Sequence, residues 1–229
     1  VGVSALQANT TASNNTAVGN RALTANTTGA ENVAVGALSL DANTTASGNT
    51  AVGYQAGTAI NTGAQNVIMG KGAALVGTTV SDSVVIGSEA GAALTTASGN
   101  VAIGYRSLDA TTTGADNVAI GKNSLTANTT ASNNVAVGKD ALAANTTADE
   151  NTAIGSLALY TNTTGAGNVA IGHDALRLNT TASNNVAVGK DAMRANTTGT
   201  ENVAVGVEAL DAITDAEANT AVGYQALTA

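Results

Sequence analysis

The sequence contains no cysteine, proline, phenylalanine or tryptophan. Without cysteine, disulfide bonds, thiol catalysis and thiolate metal sites are excluded, and the lack of proline suits an uninterrupted hydrogen-bonded ladder. Because only 2% of residues are aromatic, the core must be filled by Val, Ile, Leu and Ala. The net charge of −8 argues against a nucleic-acid partner, which needs a basic face. No apolar run reaches the roughly 18 residues of a membrane span, so we predict no membrane-spanning segment.

The dominant feature that is present is a glycine every 17 residues, from Gly2 to Gly223. A fixed period of this length is typical of a solenoid, in which each repeat is one coil stacked on the previous one. We number the repeat from one to seventeen so that this glycine is the fifth position. Asn134–Glu150 (NVAVGKDALAANTTADE) is a representative coil.

From this period we predict an all-β protein, a single parallel β-solenoid domain over residues 1–229 with 17-residue coils. The coils at about residues 57–99 depart most from the pattern. In each coil, N-V-A-V alternates and is β-branched, which predicts one strand. The A-L-x-A-N-T-T segment predicts a second strand, and the last three positions a return turn. Neither end carries a polar cap, so we expect a segment of a longer fibre or a subunit that continues end to end.

Charge placement predicts an interface along the first strand. No charged residue occupies the first five positions of any coil, although a strand of an isolated solenoid has one face in water. An uncharged aliphatic stripe of this kind marks an interaction surface. We therefore predict that the first strand is buried twice, once in its own coil and once against other copies of the chain.

Volume exchanges between coils predict which face is internal. The usual Leu at the ninth position is replaced by Gly57, Ala74 and Gly91, and in the last two coils the Ala at the third position becomes Ile68 and Val85. Such exchanges are expected where two positions share a cavity. The third and ninth positions are thus predicted to form the coil core: Ala34, Leu108, Ala119, Leu125, Ala136, Leu142, Leu159, Leu176 and Leu210. The second and fourth are predicted to form the interface: Val33, Val35, Val101, Ile103, Val118, Ile120, Val135, Val137, Val186, Val188, Val203 and Val205.

The repeat resembles a known group. N-[VT]-A-[VI]-G-x-x-A, as in Asn100–Leu108 (NVAIGYRSL) and Asn219–Leu227 (NTAVGYQAL), is similar to the YadA-like head repeat of trimeric autotransporter adhesins and to repeats of phage tail fibres and bacterial surface fibres. The resemblance covers essentially the whole chain. It implies a left-handed parallel β-roll, a homotrimer and adhesion to a host or surface. The typical head repeat is shorter, and the extra residues here fall in the A-N-T-T-[AG] segment.

Outward hydroxyls form a candidate binding array at the fourteenth position. By alternation with the tenth position, the twelfth and fourteenth point outward. The array comprises Thr11, Thr28, Thr45, Thr130, Thr147, Thr164, Thr181 and Thr198. It is open to two interpretations, ice or carbohydrate binding on one hand and β-propensity with solubility on the other. N-x-T glycosylation patterns begin at the twelfth position, and we interpret them as coincidental: Asn9, Asn26, Asn43, Asn128, Asn145, Asn162, Asn179 and Asn196.

Four other sets of residues are candidate sites. His173, the single histidine, is predicted to be a solvated turn residue. The stacked carboxylates of Asp174, Asp191 and Glu208 are a candidate cation ladder or an ordinary solvated surface. The asparagines at the first position predict an amide ladder that closes the turn, and Tyr54, Tyr105 and Tyr224 are expected to anchor turns.

The predicted function is that of a structural and adhesive fibre segment without enzymatic activity, catalytic residues, metal or cofactor. Its partners would be copies of itself, as a homotrimer or an end-to-end fibre, and a host or abiotic surface. We expect it outside the cell, on an outer-membrane-anchored fibre or on a virion. The alternatives are a phage tail fibre or mechanical filament subunit, and an ice- or carbohydrate-binding solenoid.

Overall fold

The structure of the chain, a computed structural model, describes residues 1–228. Its backbone packing divides into two units, Val1–Asp116 and Asn117–Ala229. No helix occurs in the described residues, and accordingly nothing in them forms a helix that could cross a membrane. The prediction of an all-β fold is confirmed, and we describe each unit separately.

The first unit is a parallel β-solenoid with one short strand per coil. Each strand pairs with the next one along the chain, and every residue lies beside the residue 17 positions later, as Ala34 lies beside Ala51. The 17-residue coil is therefore confirmed. The strands are β1 (Thr16–Val18), β2 (Val33–Val35), β3 (Thr50–Val52), β4 (Val67–Met69), β5 (Val84–Ile86) and β6 (Val101–Ile103).

The second unit repeats this architecture with the same parallel pairing and the same register, for example Ala136 beside Ala153. Its strands are β7 (Val118–Ile120), β8 (Val135–Val137), β9 (Thr152–Ile154), β10 (Val169–Ile171), β11 (Val186–Val188), β12 (Val203–Val205) and β13 (Thr220–Val222).

The prediction of a second strand in each coil is wrong. The A-L-x-A-N-T-T segment forms turns and bends rather than a strand in every described coil, because the residues at the seventh and ninth positions, around its start, adopt the left-handed conformation. In the coil Asn134–Glu150, Asp140 has φ 55°, Leu142 φ 52° and Glu150 φ 62°. Left-handed residues that are not glycine cost roughly 1–2 kcal/mol each, so the stack must hold them in place.

Coil-to-coil hydrogen bonds hold this irregular segment. The Leu142 N–H donates to the Ala158 carbonyl oxygen at 3.0 Å, and the Ala144 N–H donates to Tyr160 at 3.1 Å, both in the next coil. The Asp140 N–H donates to Lys122 in the preceding coil at 2.9 Å. Hydrogen bonds to the neighbouring coils thus continue beyond the three residues that form the strand.

The core of each coil is a thin layer of small and branched side chains. In the representative coil, Ala136, Ala141, Leu142 and Ala148 are buried, at the third, eighth, ninth and fifteenth positions. Leucine fills the centre and alanine its margins, which lets successive coils approach closely. All nine predicted core residues, from Ala34 to Leu210, lie inside the coils.

The recurrent glycine is required by both conformation and space. Gly138 has φ +139°, and a Cβ added to it would lie 2.5 Å from the carbonyl oxygen of Gly155 in the next coil. The glycines therefore stack backbone against backbone, at a point where no side chain fits.

Candidate functional site

The most extensive candidate surface is the outer side of the strands. The second and fourth positions, which we call the apolar face, carry Val, Ile, Thr or Met and no charge in β1 to β13. Val35 is 36% exposed and Ile154 is 39% exposed, whereas the alanine between them in each strand is buried. Each unit thus presents a row of branched aliphatic side chains to solvent, an arrangement that marks an interaction surface.

The structure places all twelve predicted interface residues on the apolar face. Val35, Ile120 and Val205 are exposed, and the other nine are half-buried. Val135 and Val137 point away from the coil, while Ala136 between them points into it. The side chains that the volume exchanges assigned to opposite faces do lie on opposite faces.

The asparagines at the first position form an amide ladder at the start of the strands. The Asn168 Oδ1 accepts a hydrogen bond from the Asn185 N–H at 3.0 Å. The Asn168 Nδ2 donates to the Ala182 carbonyl oxygen across the coil at 2.8 Å and to the Asn151 Oδ1 at 3.2 Å. Each side chain therefore ties its coil shut and joins it to its neighbours, which confirms the predicted ladder.

A second amide ladder at the twelfth position was missed, and the prediction that this position points outward is wrong. Asn145, Asn162, Asn179 and Asn196 are fully buried. The Asn179 Nδ2 donates to the Asn162 Oδ1 at 2.8 Å and to the Ala182 carbonyl oxygen at 3.0 Å. Because these amide nitrogens are buried and bonded, the N-x-T patterns that they begin are structural features here.

The threonine array points outward as predicted and extends further than the predicted set. All eight predicted threonines are exposed, and Thr62, Thr79, Thr96 and Thr113 continue the column through the divergent coils. The thirteenth position has a different role, since the Thr180 Oγ1 donates to the Thr197 carbonyl oxygen at 3.1 Å. The fourteenth position thus remains threonine from Thr11 to Thr198 while neighbouring core positions change.

The candidate cation ladder takes a different form from the one predicted. His173, Asp174 and Asp191 each bring one potential ligand atom within 4.8 Å of the others, whereas Glu208 accepts a hydrogen bond from the Gln225 Nε2 at 2.7 Å. Basic side chains already lie next to the carboxylates of the cluster formed by His173, Asp174 and Asp191.

The Lys190 Nζ lies 3.2 Å from an Asp191 carboxylate oxygen, and the Arg177 Nε lies 3.6 Å from Asp174. The His173 Nδ1 lies 3.2 Å from the Asp174 Oδ2, and the imidazole is exposed at the turn. The cluster is thus a network of surface ion pairs in which the carboxylates already have cationic partners.

The remaining polar features are small. Leu178, Asp191, Arg194, Ala195, Glu208 and Asp211 line a cleft of about 250 Å³, below the usual size of a small-molecule site. Tyr54, Tyr105 and Tyr224 are exposed. Beside Tyr105, the pKa of Arg106 is raised because its side chain donates a hydrogen bond to Asp109 and is attracted by that carboxylate.

No protein-family model matches the chain, and comparison with curated proteins and with solved structures finds no significant similarity. The resemblance to YadA-like head repeats therefore rests on the repeat motif itself.

Proposed function

We propose that the chain is a segment of a non-enzymatic structural and adhesive fibre, a left-handed β-roll in which three copies associate through the apolar face. The fibre would act outside the cell, on a bacterial surface or a virion, and attach to a host or abiotic surface. One observation carries this proposal: every described strand turns uncharged side chains away from the coil core at its second and fourth positions, mostly Val and Ile, and these are exposed or half-buried.

The physical argument concerns the cost of leaving these side chains in water. Burial of a Val or Ile side chain contributes about 1.5–3 kcal/mol, and in each unit the row repeats at every coil. Successive coils repeat this row of Val and Ile side chains at a spacing of about 4.8 Å. A straight partner with the same spacing can therefore contact the row along its length. Another copy of the same solenoid has the same spacing.

Paired substitutions of one coil test the proposal. Val135→Asp with Val137→Asp places two charges on the apolar face, and we expect the dissociation constant of the assembly to rise at least about 100-fold, because a buried unpaired charge is costly. Thr147→Asp, in the same coil but on the threonine column, is the control, since Asp215 occurs naturally at that position. Sedimentation velocity measures both, and equal effects would refute the assignment of the face.

A second candidate function is favoured by the threonine column. Twelve exposed threonines from Thr11 to Thr198 recur at every coil, including coils whose core positions diverge. A regular hydroxyl row fits a periodic hydroxyl-rich ligand, either ice or a carbohydrate chain.

If this column binds ice, the protein shows thermal hysteresis, and Thr164→Lys with Thr181→Lys removes it because the long charged side chains break the row. Ser156→Lys, at a position where lysines already occur, serves as the control. A glycan array tests the carbohydrate arm with the same variants. Absence of both hysteresis and glycan binding at high protein concentration refutes this candidate.

A further inference from the structure

Charged residues border the apolar face asymmetrically. We call the sixth position, which follows each strand, the basic edge, and the sixteenth and seventeenth positions, which precede it, the acidic edge. In the second unit the basic edge carries no acid, and the acidic edge carries no base. The basic residues are Lys122, Lys139, His173 and Lys190, and the acidic ones are Asp149, Glu150, Glu201 and Glu217, all exposed.

The first unit has the same arrangement with fewer charges. Lys71 stands at the basic edge, and the acidic edge carries Glu31, Asp82 and Asp116. The chain has a net charge of −8, so an unbiased distribution would place acids on both sides. All four lysines nevertheless occupy the sixth position of their coils.

The two edges of one chain are too far apart to pair with each other. From the acidic to the basic edge of a coil, as from Glu150 to Ser156, the chain advances six residues, about 20 Å when extended. Within residues 1–228, Glu150 and Glu201 take part in no ion pair. Lys139 and Lys190 each contact only the adjacent aspartate, at 3.3 and 3.2 Å, and remain 63% and 60% exposed.

We infer that neighbouring copies of the chain lie with their stacking axes parallel and that the basic edge of one copy pairs with the acidic edge of the next. This inference deepens the proposed self-association through the apolar face and rests on it. The edge residues that pair are Lys139 with Glu150, Lys190 with Glu201, and Lys71 with Asp82.

Symmetry connects the charge pattern to the alignment. Rotation about an axis parallel to the stacking direction exchanges the edges between facing copies, so lysine meets carboxylate. An antiparallel arrangement needs an axis across the stack, which places acid against acid and lysine against lysine, and such contacts are repulsive.

The positions of the paired residues along the stacking axis also agree with this pairing. Lys139 follows β8 and Glu150 precedes β9, the next strand of the stack. Lys190 and Glu201 are related in the same way to β11 and β12, and Lys71 and Asp82 to β4 and β5. The two residues of each pair are separated along the stack by at most one coil, about 4.8 Å. One and the same register between two copies therefore allows both pairs of the second unit to form.

Charge reversal and charge exchange test the edges in the full chain. Lys139→Glu with Lys190→Glu raises the dissociation constant by roughly 10- to 100-fold at low ionic strength, since two attractive contacts become repulsive. Addition of Glu150→Lys and Glu201→Lys exchanges the charges of the two edges and restores the dissociation constant to within a few-fold of the wild-type value. Arg177→Glu with Arg194→Glu, both at the tenth position, changes the net charge equally away from both edges and leaves the affinity near that of the wild type.

Sedimentation equilibrium at ionic strengths of about 0.05 and 0.5 M measures these constants, and high salt reduces the difference between wild type and reversal variant. Single cysteines at Val137 and Val205, treated with a bifunctional thiol reagent, report alignment because the chain has no cysteine. Parallel copies link at both positions, whereas antiparallel copies link at one at most.

The outcomes distinguish the two proposals. If the wild type stays monomeric, the proposed self-association fails. If it assembles but the charge exchange does not restore what the reversal loses, or if only one cysteine position links, the edge pairing is wrong while the apolar interface stands. Circular dichroism of each variant separates a folding defect from a loss of association.

Discussion

At the scale of single residues, the fifth position decides whether coils can stack. Gly138 combines a φ of +139° with a position at which any Cβ would lie 2.5 Å from the next coil's backbone. Left-handed conformation alone is tolerated, since Leu142 and Asp140 adopt it. Close backbone approach and a φ of +139°, well outside the range near +55° that Leu142 and Asp140 adopt, thus together make this glycine irreplaceable.

We therefore expect Gly138→Ala to lower the free energy of unfolding by about 2 kcal/mol or more, through strain and clash with Gly155. Gly72→Ala is the matched control. Gly72 also has a positive φ, of 63°, but nothing lies within 4 Å of an added Cβ, so its cost stays near 1 kcal/mol. Urea unfolding followed by circular dichroism measures both, and equal losses would contradict the argument from close approach.

The buried asparagines show where residue-level reasoning fails. Strict alternation from the tenth position points the twelfth outward, but the rule assumes an extended backbone. Left-handed residues at the seventh and ninth positions change the phase, so Leu142 and Asn145 both face inward. A signal was present in the sequence, because the twelfth position becomes Ile60 and Leu94 in two coils that lack the usual leucine.

At the scale of the element, the divergent coils conserve volume by exchange among three positions. Where Gly57 replaces the core leucine, a Cβ would lie 3.3 Å from the Ile60 Cδ1 and 3.0 Å from the Ile68 Cδ1. At Gly91, Leu94 and Val85 occupy the corresponding space. The exchange cuts the second amide ladder, and the Asn43 Oδ1, which faces Ile60 in the next coil, is buried without a hydrogen-bond partner.

Restoring the common coil tests this compensation. Gly57→Leu alone overpacks the core and destabilises the protein by about 1–3 kcal/mol. Combined with Ile60→Asn and Ile68→Ala, the same leucine regains its space, and the new asparagine donates to Asn43. We expect a coupling of at least about 1 kcal/mol in a mutant cycle measured by urea unfolding. Additivity within about 0.5 kcal/mol would show that the three sites do not share a cavity.

The coil itself divides into a part that sequence patterns predict and a part that they do not. The N-V-A-V strand, its parallel register and the inward alanine follow from the 17-residue period and from alternation. The A-L-x-A-N-T-T segment has strand-like composition, yet its left-handed residues produce turns that no propensity scale anticipates. Hydrogen bonds between coils stabilise that path, and such bonds depend on the stack rather than on local sequence.

At the scale of the whole molecule, the apolar face and its two charged edges define how copies would meet. In the proposed assembly, the apolar face would hold the copies together without selecting their direction, whereas lysines on one edge and carboxylates on the other would select a parallel alignment. The sequence shows that the first five positions carry no charge and predicts that the second and fourth face outward, and the structure adds that these side chains range from half-buried to exposed.

The most direct test of self-association is the molar mass of the full chain in solution, measured by multi-angle light scattering over a wide range of protein concentration. The proposed assembly predicts three times the mass of one chain, with dissociation only on dilution. A mass equal to one chain at the highest concentration would contradict it, because the apolar face would then be stable in water without a partner.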